Sequence, residues 1–432
     1  MAFIQRRNTR LRMSAFSFLL STLFEEDSNM DCSVKEFMQY IEEEDIKFIR
    51  LTFCDIYGTP KNISVMANDI GRVLENGLAI NASFIKGFRD YSSQDLVLHP
   101  DPATTSLLPW RPEHGKVIRM FCDISLTDGT PFRGDTRYIL KQAVSKAEAQ
   151  GITYRFGSRM EFYLFKTDED GNPSYVPYDN AGYMDVAPLD KGENVRREIC
   201  LTLERMGITP VNSHHEAGPG QNEIDYASSD PLTAADHAST FMMVVKTIAA
   251  RNGLYADFSP KPLTDKPGSG FHINLRADSN SGDQVMPFAI AGILKNIYES
   301  TVFFNPTEDS YLRLGEDSAP RYITWSKDNL GQLIRIPPAP GTNSYAQLRS
   351  PNAGINPYLA FAILIEASLE GIKDRIDLEK PTNKVLTDLD TDEAALYKTL
   401  PQSLAEARKA ASGSSFLKSF LDETLINSYC NR

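Results

Sequence analysis

The chain has 432 residues and a formal net charge of −12, with 57 acidic side chains against 45 basic ones. This balance opposes binding to phosphate backbones and to anionic membrane surfaces, so nucleic acid and membranes are not expected partners. The five cysteines are scattered and form no Cys-x-x-Cys pair, which is typical of reduced thiols and predicts a cytoplasmic protein.

The first thirty residues carry a weak signal-like pattern. Four arginines between residues 6 and 12 precede an apolar stretch at residues 15–20. That stretch is short and interrupted by serine, and no clean small-x-small cleavage pattern follows it. We therefore expect residues 1–29 to be a disordered extension or the result of a wrongly assigned start codon. No window of the sequence approaches the length of a membrane span.

A small α+β domain is predicted over residues 30–130. Apolar residues at helical spacing alternate there with strand-like runs that are separated by turn residues. The predicted elements are a helix over residues 34–44 and strands over 47–56, 63–65, 96–98 and 117–124.

A large α+β domain is predicted over residues 131–432, after a turn at 129–135. Its helices show the apolar period of an amphipathic helix, and glycines at 207 and 253 are typical helix stops. The predicted elements are helices over residues 136–150, 194–206, 233–251, 287–305 and 357–373, and strands over 153–157 and 161–165.

The segment 213–225 places two carboxylates and two imidazoles around a Gly-Pro-Gly turn, which is typical of a metal site. Glu216 and Glu223 supply the oxygen donors that Mg²⁺ or Mn²⁺ prefers. Glu161 interrupts an apolar strand, where a buried charge must be paired, protonated or bound to metal. A solvated glutamate on an edge strand is the alternative. His272 follows a Gly-Ser-Gly loop that lets backbone approach a ligand, although such a histidine is more often structural.

The order of these motifs resembles the glutamine synthetase family, and in particular its type I-like members. The segments 157–165, 213–225 and 268–274 carry the resemblance. Further matches lie at residues 258–262, 305–307, 310–314, 334–337, 348–351 and 356–359. The resemblance implies an α+β fold with a small N-terminal β-grasp-like domain and a large catalytic domain. It also implies stacked hexameric rings.

In that family ATP phosphorylates the γ-carboxylate of glutamate, and ammonia then displaces the phosphate. Divalent cations and arginines stabilise the charge on the transferring group. The resemblance implies a first metal site at Glu161, Glu216 and Glu223, a second-metal ligand at His272, glutamate binding by Arg313, Arg349 and Gly268, and nucleotide binding by Arg335 and Lys261. Arg313 and Arg335 would also take part in catalysis.

Two of the three second-metal ligands that the resemblance implies are altered. Arg159 stands where the family has a glutamate, and Gln347 replaces the glutamate of an Arg-x-Glu-x-Arg motif. A guanidinium repels Mg²⁺, and a neutral amide brings no charge to a cation site. The alternative is that Arg159 lies where the second metal would sit and supplies its positive charge.

Other charged positions of the family are also altered. Ser318 stands at the glutamate of a site-closing loop, where Glu316 or Asp317 could substitute, and Asn81 stands at the aspartate that helps to bind ammonium. Two arginine positions of the family hold Leu330 and Tyr345. Removing one charge from a phosphoryl-transfer site commonly slows the reaction by about 10²–10³-fold. Efficient glutamine synthesis is therefore not expected.

The sequence thus predicts a divergent ATP-dependent carboxylate–amine ligase with weakened or lost ammonia-ligase activity. Glutamate, ATP and one Mg²⁺ or Mn²⁺ ion are the expected ligands, and a homo-oligomer of hexameric rings is the expected assembly. One alternative is an active γ-glutamyl ligase that uses another amine. A second is a non-catalytic regulatory or structural paralogue that assembles with an active synthetase.

Overall fold

A computed structural model of the chain describes residues 30–91, 94–111, 114–316, 318–327, 329, 331–338, 345–386 and 391–431. The described residues form two compact units. One comprises residues up to 138 together with 201–208, and the other comprises 139–200 and the residues from 209 onwards. The domain limits predicted from the sequence, 30–130 and 131–432, stay a prediction. The extension expected at residues 1–29 lies outside the described residues.

The first unit is built on a six-stranded sheet. Its elements are α1 (Met30–Glu43), β1 (Ile46–Cys54), β2 (Pro60–Met66), α2 (Ile70–Asn76), β3 (Leu78–Asn81), β4 (Asp95–Pro100), β5 (Ser106–Leu107) and β6 (Lys116–Leu126). The strand order is β2-β1-β6-β4-β3, with β5 paired to β6, and β1 runs parallel to β6. Ile49, Leu51 and Ile118 are fully buried in its core, as expected for β-branched and aliphatic side chains in a sheet.

The second unit is built on a nine-stranded sheet. Its strands are β7 (Ile152–Thr167), β8 (Pro173–Pro177), β9 (Pro210–His215), β10 (Gln221–Ser229), β11 (Leu254–Asp257), β12 (Phe271–Ser279), β13 (Trp325–Ser326), β14 (Ile334–Arg335) and β15 (Ala346–Leu348). The order is β13-β14-β15-β12-β7-β10-β9, and β8 and β11 also pair with β7. The sequence predicted two strands where β7 is one. That prediction was wrong because residues 158–160 pair with β10 on one side and β12 on the other.

The five long helices predicted from the sequence are all present, within two residues of the predicted ends. The helices from residue 136 onwards are α3 (Thr136–Ala149), α4 (Glu193–Arg205), α5 (Pro231–Arg251), α6 (Met286–Phe304), α7 (Glu308–Arg313), α8 (Pro357–Lys373), α9 (Thr391–Ala394), α10 (Leu404–Gly413), α11 (Ser415–Lys418) and α12 (Glu423–Cys430). Helix α5 begins at Pro231 because the Asp230 side chain caps it by accepting from the Thr233 amide.

Helices α6 and α8 approach closely through two glycines. A Cβ atom on Gly292 would lie 2.8 Å from the backbone nitrogen of Gly371 and would also meet the Ala367 carbonyl oxygen. Glycine at both positions therefore permits backbone contact between two apolar helices. Within the described part of the chain, no helix is both long and apolar enough to cross a membrane.

Candidate active site

The sheet register of the second unit lines up three titratable side chains from neighbouring strands. Glu161 of β7 stands opposite Glu223 of β10, and Glu223 stands opposite His214 of β9. Directly opposed residues lie close together on one face of an antiparallel pair. His214 Nε2 accordingly lies 3.6 Å from Glu223 Oε1. Strand pairing thus concentrates two carboxylates and an imidazole in one row.

A second row, two residues along the strands, contains a guanidinium. Arg159 of β7 stands between Asp225 of β10 and His272 of β12. Arg159 Nη2 donates to Asp225 Oδ2 at 2.8 Å, and Arg159 Nη1 lies 3.3 Å from Glu223 Oε1. Burial alone would lower the pKa of Arg159, but the carboxylates of Glu223 and Asp225 outweigh burial and raise it. The guanidinium therefore connects both rows and stays charged.

Glu216 reaches the first row from the turn that follows β9. The turn closes through a hydrogen bond from the Glu216 amide to the Gln221 carbonyl at 2.8 Å, and Gly220 adopts a φ of +69° that favours glycine. Glu216 Oε1 lies 3.1 Å from His214 Nε2. His214, Glu216 and Glu223 each offer a ligand atom within 4.8 Å of the others.

Glu161 is buried, with 5% of its surface exposed, so the alternative of a solvated edge-strand glutamate is wrong. Its carboxylate accepts from the Gly270 amide at 2.7 Å. Burial, followed by the charge of Glu216, raises the pKa of Glu161. The pKa of Glu223 is raised well above its usual range by burial and by the charge of Glu161. These carboxylates therefore repel one another wherever they are ionised.

The donor set fits a hard divalent cation with one nitrogen ligand. Glu161, Glu223 and His272 also offer ligand atoms within 4.8 Å of one another, so Glu223 belongs to two overlapping groups. Both ring nitrogens of His272 and Glu223 Oε1 lack hydrogen-bond partners among the described residues. Burial lowers the pKa of His272 well below its usual range, which leaves the neutral imidazole that binds metals. Carboxylate oxygens are the ligands that Mg²⁺ and Mn²⁺ prefer.

A cavity of about 450 Å³ adjoins the carboxylates. Its lining includes Glu216, Lys261, Gly268, Glu316 and Ser318. Lys261 Nζ donates to the Lys266 carbonyl at 2.6 Å and pairs with the Glu316 carboxylate, which also accepts from the Gly268 amide at 3.1 Å. Glu316, and not the neutral Ser318, therefore places a carboxylate in the cavity.

Two buried arginines lie beside this cluster of carboxylates. Arg313 is 1% exposed and donates to the carbonyls of Ser350 at 2.8 Å and Arg349 at 3.2 Å. Arg349 donates to the Ser318 carbonyl at 3.3 Å. Burial lowers the pKa of Arg313 to about 10 and also lowers that of Arg349. The Nε atoms of both lack partners in the described part of the chain, so each retains a donor for an anionic ligand.

Profiles of known protein families match most of the chain. The profile of "Glutamine synthetase, beta-Grasp domain" matches residues 45–127, and that of "Glutamine synthetase, catalytic domain" matches residues 133–432. The chain belongs to the glutamine synthetase family. The resemblance stated from the sequence is thereby confirmed, as is the α+β fold with a small β-grasp domain and a large catalytic domain.

Individual relatives agree with this assignment. Glutamine synthetase of Methanosarcina mazei is 41% identical over 92% of this chain and 93% of its own length. That of Staphylococcus epidermidis is 40% identical over 91% and 92%. A solved structure described as "GmaS/ADP complex-Conformation 1" superposes with a TM-score of 0.81 at 26% identity, covering 91% of this chain and 94% of that one. A cryo-EM structure of Plasmodium falciparum glutamine synthetase gives 0.80 at 21% identity, covering 92% and 94%.

In this family member, Gln347 and Arg335 lie at the β14–β15 end of the same sheet. Gln347 stands opposite Asn274 and Arg335 in the strand register. Its amide nitrogen donates to Asn274 Oδ1 at 3.0 Å, and its amide oxygen accepts from Arg349 Nη1 at 3.1 Å. Both ends of the amide are therefore engaged with protein atoms. Arg335 is half-buried, and burial lowers its pKa.

Asn81 lies in the first unit, at the end of β3. Its side-chain oxygen accepts from the Ser83 amide at 2.9 Å and from the Ser83 hydroxyl at 2.6 Å. The side chain is exposed and caps a short 3₁₀ turn, Ala82–Phe84. Asp317 and Leu330, two other positions named from the family pattern, lie outside the described residues.

The second histidine of the 213–225 segment is structural. His215 Nε2 lies 2.9 Å from Asp179 Oδ1, and its Nδ1 lies 2.7 Å from the Glu216 carbonyl. Asp190, the third member of this buried group, is paired with Arg196. The His215 nitrogens and the Asp190 carboxylate therefore contact protein groups, and His215 is not in the group formed by His214, Glu216 and Glu223.

Sequence reasoning also missed Asp225, which holds Arg159. The signal was available, since Asp225 follows Glu223 by two residues in a strand and must share its face. His214 precedes Glu216 by two residues but its contact with Glu223 depends on the β9–β10 register, which the local pattern does not specify.

Proposed function

We propose that the chain is an ATP-dependent carboxylate–amine ligase scaffold that binds glutamate and ATP and has weakened or lost ammonia-ligase activity. One observation carries the loss of activity. Arg159 and Gln347 stand at the two positions where the family pattern needs carboxylates, and both are engaged with protein groups. Neither residue supplies the charge that a second cation requires.

Retained ligand binding is supported by the rest of the site. Glu223 shares one group of candidate ligands with Glu161 and another with Glu216, and carboxylates of this kind suit one Mg²⁺ or Mn²⁺ ion. Arg313 and Arg349 provide buried positive charge for a substrate carboxylate, and Gly268 lets backbone approach it because a Cβ there would lie 2.7 Å from Arg313 Cγ. The 450 Å³ cavity has a volume typical of small-molecule sites.

Nucleotide binding would involve Lys261 and Arg335. Lys261 is a cavity-lining cation that has the Glu316 carboxylate as its partner, and a phosphate would compete with that carboxylate. The structural relative described as a GmaS/ADP complex, 26% identical to this chain, supports a nucleotide site.

The expected chemistry follows from the ligands that these residues can bind and from the charged side chains that are missing. A bound divalent cation would neutralise charge on the phosphates of ATP. Arg313 and Arg349 would orient the substrate carboxylate, and Arg335 would oppose negative charge on the transferring group. Ser318 and Asn81 cannot deprotonate ammonium, because neither side chain is a base at neutral pH. Loss of even one preorganised charge costs about 10²–10³-fold in rate.

The test is ADP release by the purified full-length chain with ATP, glutamate and Mg²⁺ or Mn²⁺, with and without ammonium. Methanosarcina mazei glutamine synthetase, as a relative of similar length, serves as the positive control. We expect ammonium-dependent turnover at least about 100-fold below the control. The double variant Arg159→Glu with Gln347→Glu should raise it. Ammonium-dependent turnover equal to that of the control would overturn the proposal.

An active ligase for another amine is favoured by one feature of the cavity. Ser318 lines it without a charge, so the expected amine pocket is less selective for a small cation. The same assay with methylamine and ethylamine in place of ammonium decides this alternative. Turnover with an organic amine alone would support it. Binding of ATP or glutamate without turnover would instead favour the regulatory or structural paralogue, and co-purification with an active synthetase would identify its partner.

Ring assembly and cytoplasmic location are further parts of the proposal. Six chains of 48.3 kDa give a ring of about 290 kDa, and two stacked rings give twice that mass. Light scattering on the purified protein measures this directly. A monomer at micromolar concentration would contradict the ring.

A further inference from the structure

Two groups of candidate cation ligands overlap in the second unit, and a guanidinium lies beside the atom that they share. The first group is His214, Glu216 and Glu223, and the second is Glu161, Glu223 and His272. Glu223 Oε1 is 3.3 Å from Arg159 Nη1. The shared carboxylate therefore already faces one positive charge.

We infer that this site takes a single divalent cation per chain, held among Glu161, Glu216 and Glu223, and that the Arg159 guanidinium is a fixed second cation. The inference deepens the proposed function, since it concerns the same site, but it does not depend on whether the chain turns over substrate.

Arg159 is secured in its place by hydrogen bonds and charge. Asp225 Oδ2 accepts from Arg159 Nη2 at 2.8 Å and from Asn212 Nδ2 at 3.0 Å. Displacing the guanidinium would leave Asp225 and Glu223 buried without a counter-charge, which is costly. A metal ion entering beside Glu223 must therefore accept Arg159 as a neighbour.

The His272 end of the cluster is electropositive. Arg159 stands opposite His272 in the strand register, and Arg313 is also near, because a Cβ atom on Gly270 would lie 2.7 Å from His272 Nε2 and 2.8 Å from Arg313 Nη2. A divalent cation on this side would meet both guanidinium groups. Glu216, by contrast, lines the cavity through which a cation can enter.

The sum of the formal charges around Arg159 also favours one bound divalent cation. Glu223 and Asp225 contact the guanidinium of Arg159, and the charges of Glu161 and Glu216 act on Glu223. If all four carboxylates are ionised, one divalent cation leaves this group one charge negative, whereas a second makes it positive even before Arg313 and Arg349 are counted. A single ion is the arrangement that neutralises the carboxylates without building up excess positive charge.

The experiment is equilibrium dialysis of the full-length protein against Mn²⁺, with free Mn²⁺ measured by electron paramagnetic resonance. We expect one Mn²⁺ per chain for wild type. Arg159→Gln should keep one ion but bind it at least about tenfold more tightly, because the repelling charge is gone. Arg159→Glu combined with Gln347→Glu should bind two ions per chain.

The matched control for Arg159→Gln is Arg155→Gln. Arg155 lies on the same strand and face as Arg159, four residues away, but its side chain is exposed and donates to the Ser228 carbonyl. The substitution makes the same change in net charge without touching the carboxylate cluster. Its Mn²⁺ stoichiometry and affinity should match wild type within about twofold, since exposed charges at this distance are largely screened.

Two ions per wild-type chain would overturn the inference, as would an unchanged Mn²⁺ affinity in Arg159→Gln. Arg159→Gln puts a smaller neutral side chain at a partly exposed position, so it keeps the test decisive if the double glutamate variant does not fold. Two ions without ammonium-dependent turnover would refute this inference and leave the proposed loss of activity standing. One ion per chain together with turnover equal to the control would support this inference and refute the proposed loss of activity.

Discussion

Two buried glutamates of the second unit should respond in opposite ways to replacement by glutamine. Glu161 lies beside the like charges of Glu216 and Glu223, which the guanidinium groups of Arg313 and Arg349 offset only in part. Glu366 of α8 is 7% exposed and accepts from Lys146 Nζ at 2.5 Å. A neutral amide relieves repulsion at the first position and breaks an ion pair at the second. Glu161→Gln should therefore stabilise the metal-free protein, and Glu366→Gln should destabilise it.

The magnitude at Glu161 follows from the separation of its carboxylate from Glu223. Their nearest ligand atoms lie within 4.8 Å of each other. At an effective dielectric constant of about 20, two full charges at that distance repel by about 3 kcal/mol. Burial raises both pKa values and so favours the neutral carboxyl, and Arg313 and Arg349 offset part of the repulsion, so we expect a gain of only about 1–2 kcal/mol. Glu366→Gln should lose about 1 kcal/mol, because Lys146 is half exposed and can turn to water.

Urea denaturation at pH 7, first in EDTA and then in saturating Mn²⁺, measures both effects. In EDTA the midpoint should rise for Glu161→Gln and fall for Glu366→Gln. Mn²⁺ should stabilise wild type and Glu366→Gln alike, because an ion that binds only the folded state shifts unfolding by mass action. It should stabilise Glu161→Gln much less. If Glu161→Gln is destabilised in EDTA as strongly as Glu366→Gln, the assigned repulsion is wrong.

Two further predictions concern stability away from the site. Burial raises the pKa of Asp135 to about 7, and the charge of Asp123 adds to this shift. The stability that the protonated carboxyl gives the folded protein is therefore fully present below the unfolded pKa near 4 and is lost as the pH rises through about 7. Between pH 4 and 8 the unfolding free energy of wild type should fall relative to Asp135→Asn, by at most about 4 kcal/mol; parallel pH profiles would contradict this. Gly292→Ala should cost about 1–3 kcal/mol in urea denaturation because its methyl meets α8, whereas Gly413→Ala, with open space around it, should be neutral or stabilising. Equal effects of the two would refute the close helix contact.

Much of the fold could be predicted from local patterns. The five long helices follow from apolar periodicity and from glycine stops such as Gly253, which depend only on neighbouring residues. Strand β7 could not be delimited in this way. Its middle, residues 158–160, is held by hydrogen bonds from two strands that are distant in sequence, and no local pattern encodes that pairing.

The candidate site could likewise be predicted only in part from the sequence. The residue types at Glu161, Glu216 and Glu223 suggested a cation site, but sequence could not decide whether Glu161 was solvated or buried. The paired strands on both sides of β7 bury it. Likewise, the pairing of Lys261 with Glu316 and the structural bonds of His215 depend on contacts between remote segments. The sequence therefore indicates which residue types could bind a cation, but it does not give the contacts between remote segments.

Arg159 links the stability of the metal-free site to its capacity for cations. Its charge beside Glu223 and its hydrogen bond to Asp225 supply a counter-charge that the buried carboxylates need when no metal is bound. The same guanidinium occupies an Asp225 oxygen and repels an incoming ion. A glutamate at this position would reverse both effects, since it adds a ligand and removes the counter-charge. We therefore propose that the arginine makes the metal-free cluster less dependent on metal for its stability, and that it does so at the expense of a second cation.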